Sequence, residues 1–160
     1  MDIEIRRAEL SDLELLIEWR MTVLREVFSA PTDDPMTELE QENRRYYQRA
    51  LPAWDHIACF VYTGQEVIGC GGICFYQEMP SPDNPQGGCA YLMNIYTAPL
   101  FRGQGVGQKT VRWLIERAKE RGITKIYLEA SAAGKSLYKD MGFSEMEDYM
   151  KLEAETWNLL

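Results

Sequence analysis

Between residues 102 and 107 the chain reads Arg102-Gly103-Gln104-Gly105-Val106-Gly107, and this run constrains the fold more than any other. A β-rich stretch ending at Thr97 precedes it. A helix is predicted from about Gly105 to Arg121, with Val111, Leu114, Ile115 and Ala118 on one face. A helix N-terminus leaves backbone N–H groups unpaired and carries a partial positive charge. Glycines there let a bulky anion approach without meeting a β-carbon. Strand, glycine loop and helix together read as a pyrophosphate cradle, to which Arg102 can add a charge-assisted contact. The plainer alternative is a flexible surface turn, and three glycines directly ahead of an amphipathic helix speak against it.

Spacing narrows the anion. A dinucleotide fingerprint starting at Gly103 needs glycine at 108, where Gln108 stands. A nucleotide-binding loop of the Gly-x-x-x-x-Gly-Lys-Ser/Thr type is absent from the sequence.

The rest of the chain supplies the frame. Residues 2–7 alternate as a strand. Ser11 and Glu14 have capping-box spacing ahead of Leu13, Leu16, Ile17, Met21, Leu24 and Phe28, which predicts a helix to about residue 28. A second helix is expected over 36–50, closed by Pro52. Residues 57–62 and 66–77 read as a hairpin through Thr63-Gly64-Gln65. A loop rich in proline and glycine covers 79–88, and a strand follows over 89–97. Beyond the long helix come a strand over 123–130, a short helix near 134–141 and a last strand over 143–151. The order β-α-α-β-β-β-α-β-α-β implies an α/β fold in one domain over 1–160: a mixed, mostly antiparallel sheet with one parallel crossover, flanked by helices on both faces.

Composition excludes several classes. The formal net charge is -8, which disfavours a nucleic-acid backbone and suits a cationic substrate, although acidic surfaces also serve solubility. No run approaches the roughly 18 apolar residues of a membrane span, and the N-terminus lacks a signal-peptide core, so a cytoplasmic protein is expected. The four cysteines, Cys59, Cys70, Cys74 and Cys89, form no Cys-x-x-Cys pair, and His56 is the single histidine, so no metal site is expected. The cysteines read as small buried hydrophobes rather than as part of a Cys-His nucleophile.

Arg102-x-x-Gly105-x-Gly107 matches the Gln/Arg-x-x-Gly-x-Gly/Ala motif, and the chain here resembles the GNAT superfamily of acetyl-CoA-dependent N-acetyltransferases. Asn94-Ile95-Tyr96-Thr97-Ala98-Pro99 is similar to the strand and turn before that motif. Ser136-Leu137-Tyr138-Lys139-Asp140-Met141-Gly142-Phe143 is similar to the family's Leu-Tyr-x-x-x-Gly-Phe segment. Both motifs stand in the family's order, and the resemblance covers nearly the whole chain.

The resemblance implies roles. Backbone groups of Ile95, Tyr96 and Thr97 would pair with the pantetheine arm. Arg102, Gly103, Gln104, Gly105, Val106, Gly107 and Gln108 would hold the pyrophosphate, with Ser131 and Ser136 completing the contacts to CoA. Ser131 departs from the asparagine frequent there, and Gly134 from alanine. Tyr138 would protonate the departing thiolate as general acid, and Glu129 would be the general base, with Glu26, Asp33, Asp34 or a water chain as alternatives. Strands splayed at the acyl group would expose N–H donors to polarise the thioester. The implied reaction is direct acetyl transfer from acetyl-CoA to a primary amine of a small molecule or peptide. Residues 20–50 and the loop 79–88, together with Tyr46, Tyr47 and Tyr76, are the candidate acceptor region. No metal, nucleic acid or membrane partner is implied, and a homodimer stays open. The rival reading is a non-catalytic acyl-CoA sensor, which would have no use for Tyr138 or a base.

Overall fold

A computed structural model describes residues 2–159, and side chains through residue 156. The elements are β1 (Glu4–Arg7), α1 (Leu13–Val27), α2 (Thr37–Ala50), β2 (His56–Thr63), β3 (Glu66–Gln77), β4 (Gly88–Thr97), α3 (Val106–Glu120), β5 (Lys125–Leu128) and α4 (Lys135–Asp140). Short 3-10 turns precede α1 and follow β4. Two compact units divide between Glu129 and Ala130.

In the first unit the sheet runs β1-β2-β3-β4-β5 in spatial order. The first three pairings are antiparallel, while β4 and β5, joined through α3, are parallel. Side-chain alternation then sorts the two faces. On one, Ala58, Phe60 and Cys70 pack against Leu16, Ile17, Met21 and Leu24 of α1 and Tyr47 of α2. On the other, Val61 and Ile68 pack against Val106 of α3. The predicted mixed sheet with helices on both faces is present.

Close approach of α3 depends on Gly71, since a β-carbon there would meet Thr110 Cγ2 at 2.6 Å and Leu114 Cδ1 at 3.0 Å. Gly122 ends α3 at φ +70°, with its N–H donating to the Lys119 carbonyl and Ile123 N–H donating to that of Ala118. This is the Schellman closure that the glycine implied. No helix among the described residues is long and apolar enough to cross a membrane.

Two expectations are corrected. The predicted capping box on Ser11 and Glu14 instead joins Glu9 to Asp12, whose carboxylate accepts from Glu9 N–H at 2.8 Å. Glu14 is drawn away by Arg44 of α2, at 2.5 and 3.0 Å. The last strand, expected over 143–151, does not form, so the sheet has five strands and not six. Within that segment Glu145 turns back to Lys139 at 3.1 Å and Lys135 at 3.7 Å. Strand propensity alone holds nothing extended when no neighbouring strand accepts the ladder.

Candidate active site

The site begins where β5 stops. β5 pairs with β4 only from Cys89↔Lys125 to Leu92↔Leu128. β4 continues to Thr97, pairing with β3 through Tyr96↔Cys70 and Thr97↔Gly69. No strand among the described residues pairs with the other edge of residues 93–97, so extended backbone there can receive an added strand.

The register between β3 and β4 slips at this point, with three steps on β4 from Met93 to Tyr96 against two on β3. The extra residue is a bulge, and Asn94 takes φ +57°, a left-handed conformation that asparagine tolerates better than most side chains. Arg20 of α1 clamps it, donating to Asn94 Oδ1 at 3.0 Å and to Asn43 Oδ1 of α2 at 3.0 Å. The sequence reading missed this clamp. An asparagine interrupting the apolar run Met93-Asn94-Ile95 was the available signal for the bulge, whereas nothing near Arg20 foretold its partners.

After β4 the chain turns through Pro99 into the glycine loop. Gly103 and Gly105 have φ of +75° and +80°, and a β-carbon on either would face open space. The conformation, rather than crowding, is what requires glycine there. Gly105 is the N-cap of α3 with no side-chain cap, so the amides of Val106, Gly107 and Gln108 have no partner within the helix. Those features suit an anion.

Arg102 is less free than the sequence suggested. It donates to the Thr97 carbonyl at 2.9 Å and to Glu26 at 2.6 Å, with its guanidinium 5.3 Å from the Tyr96 ring centroid. Tyr96 hydroxyl also donates to Glu26, at 2.6 Å. Arg102 therefore ties the loop to α1. Glu26, offered as an alternative base, is held below the usual carboxylate range by Tyr96 and then Arg102, which makes it a poor proton acceptor. Asp34 Oδ1 accepts from Met36 N–H at 2.9 Å in the turn ahead of α2.

Glu129 follows β5 directly and is exposed beside the opening. Burial, and then the Glu129 charge, push the Tyr91 hydroxyl up. His56 is 2 % exposed and shares a 3.0 Å hydrogen bond through Nδ1 with Tyr46, and burial depresses its pKa to about 4. It faces Cys74 across the ladder and not Cys59. Burial raises the Cys59 thiol, and that of Cys70 to about 12, so neither offers a thiolate nucleophile.

The second unit carries Ser131, Ser136 and Tyr138. Ser131 Oγ accepts from Gly134 N–H at 3.2 Å ahead of α4, and Ser136 is exposed. Tyr138 is half-buried, its ring 5.8 Å from that of Phe143, and burial keeps its hydroxyl protonated above the usual phenol range.

Residues 17–143 match the Acetyltransferase (GNAT) family. The chain belongs to that family. Glucosamine 6-phosphate N-acetyltransferase of Trypanosoma brucei brucei is 26% identical over 96% of this chain and 97% of its own length. Thialysine N-epsilon-acetyltransferase of Sus scrofa is 27% identical over 69% and 79%. Among solved structures, a predicted acetyltransferase with acetyl-CoA from Clostridium acetobutylicum superposes with a TM-score of 0.86 at 29% identity, covering 95% of this chain and 96% of that one. A GCN5-related N-acetyltransferase from Ralstonia eutropha JMP134 gives 0.82 at 25%, covering 96% and 99%. This GNAT chain is an N-acetyltransferase, with acetyl-CoA as its cosubstrate.

Proposed function

We propose that acetyl-CoA lies along the free edge of Ile95, Tyr96 and Thr97, with its pyrophosphate on the amides of residues 103–108, and that its acetyl group passes directly to the primary amine of a small molecule or peptide. The observation that carries this reading is the early end of β5, which leaves the edge of residues 93–97 unpaired just ahead of the glycine turn. An extended amide-bearing arm is suited to such an edge, and the bulge at Asn94 breaks the regular alternation of N–H and carbonyl groups where a thioester carbonyl would need a donor.

Glu129 is the base in this reading. An amine is largely protonated at neutral pH and must lose a proton before attack, and Glu129 is an exposed carboxylate beside the opening. Tyr138 is the acid. A thiolate is a moderate leaving group, and a phenol above its usual range is a reluctant donor, so its contribution is about tenfold. Arg102 positions the loop. Ser131 supports the turn into α4, and Ser136 is a further CoA contact.

Calorimetric titration with acetyl-CoA, followed by an amine panel read by CoA release and product mass, tests the whole. Saturable binding with acetylated amine is expected. Failure to bind acetyl-CoA would remove the donor assignment, while binding with no amine acetylated would restore the sensor alternative.

A further inference from the structure

Beyond α2 the face of the sheet that bears Ala58 and Phe60 is paved with tyrosine. Register places His56, Cys74, Tyr91 and Tyr127 in one row across β2 to β5, and Tyr76, Cys89 and Lys125 in the next. The rings of Tyr91 and Tyr127 lie 5.1 Å apart and tilted, and those of Tyr127 and Tyr76 lie 6.4 Å apart edge to face, with their hydroxyls hydrogen-bonded to each other. Tyr76 remains 41% exposed, and Tyr91 and Tyr127 are partly so. Tyr46 and Tyr47 of α2 close over His56, one position before this ledge.

Charge is distributed unevenly along the ledge. Glu129 stands at the end nearest the β4 bulge, one step beyond the Leu92↔Leu128 pair. At the far end Lys125 is bound to both oxygens of Glu78 at 2.8 Å, which holds that carboxyl at about 2. Aromatic faces beside a carboxylate attract an ammonium group and a flat apolar body. Near the ledge Lys125 is already matched to Glu78, and Arg20 is engaged by the amide oxygens of Asn43 and Asn94, so a phosphate group would have to displace existing partners.

We propose that the Tyr76–Tyr91–Tyr127 ledge is the acceptor subsite, and that it selects an arylalkylamine over a phosphorylated amino sugar. The amine is directed to Glu129 and the ring lies on the tyrosines. This rests on the assignment of transfer to the opening beside Glu129, and it separates the chain from the glucosamine 6-phosphate enzymes it resembles in sequence.

The test is steady-state turnover with 2-phenylethylamine, tyramine and glucosamine 6-phosphate at saturating acetyl-CoA. The arylalkylamines should show at least tenfold higher kcat/KM. Tyr91→Leu should raise their KM at least tenfold with acetyl-CoA affinity unchanged, and Tyr91→Phe should restore it. Tyr76→Leu, at a more exposed position, should raise KM about threefold, which keeps the proposal testable if Tyr91→Leu does not fold. Preference for glucosamine 6-phosphate, or a KM indifferent to both leucine variants, would overturn the ledge while leaving amine acetylation intact. Acetyl-CoA binding with no amine acetylated would overturn the functional reading and the ledge with it.

Discussion

The two halves of β4 differ in what lies beside them more than in what they contain. Cys89 to Leu92 is sealed between β3 and β5, while Met93 to Thr97 is paired on the β3 side and open on the other. Both halves are mostly apolar. The sealed half contributes stability through its ladders and buried side chains. The open half forgoes one ladder, and the edge so left is where a substrate can bind. Substitutions at the buried positions of the first half, Cys89, Ala90 and Leu92, should therefore register in unfolding, and those around the second half in acetyl-CoA binding and turnover.

The largest effect is expected at the mouth of the open half. Gly105→Asp adds a negative side chain and forces an L-residue to φ +80°, so acetyl-CoA affinity should fall at least a hundredfold by titration calorimetry. Retained affinity would remove the cradle and with it the functional contrast.

Next comes His56, whose partner Cys74 faces Tyr91 in the sealed half. Its folded pKa, lowered to about 4 from 6.5, means that the unfolded chain takes the proton first as pH falls. Its contribution is complete above pH 6.5 and is lost towards pH 4, by about 3 kcal/mol. Denaturant titrations at several pH values should show this loss in the parent and a flatter profile in His56→Gln, with acetyl-CoA affinity at pH 7 unchanged. Parallel profiles would place the pH dependence elsewhere.

Asn94 sits on the boundary. A β-branched residue at φ +57° costs about 1–3 kcal/mol, so Asn94→Val should lower both Tm and kcat. Asn94→Gly accepts the backbone angle but loses the Arg20 bond, and should recover Tm further than kcat. Equal recovery of both would mean that the clamp does nothing for turnover. The smallest expected effect is Tyr138→Phe, about tenfold in kcat with acetyl-CoA affinity unchanged, worth about 1.4 kcal/mol. Undiminished turnover would remove Tyr138 as the acid.

Much of the frame was legible because its causes are local. The β-forming runs of residues 57–62 and 66–77, the apolar stripe of α3 and the glycine at its end all act within a few residues of themselves. Where the reading failed, a distant partner had intervened. Glu14 leaves its cap for Arg44, thirty positions on. The segment 143–151 lacks a strand to join. The contact of Arg102 with Glu26 is one the motif did not foretell. The roles of Tyr138 and Glu129 came from resemblance to a family and rest on the experiments above.

By itself the sequence determined that a glycine-rich loop opens an amphipathic helix after a strand, since glycine spacing and hydrophobic periodicity are properties of neighbours along the chain. Only the tertiary structure decided where β5 ends against β4, that Asn94 bulges under Arg20, and that three tyrosines from three strands share one ledge. Those depend on register, and register is set by which side chains meet across space.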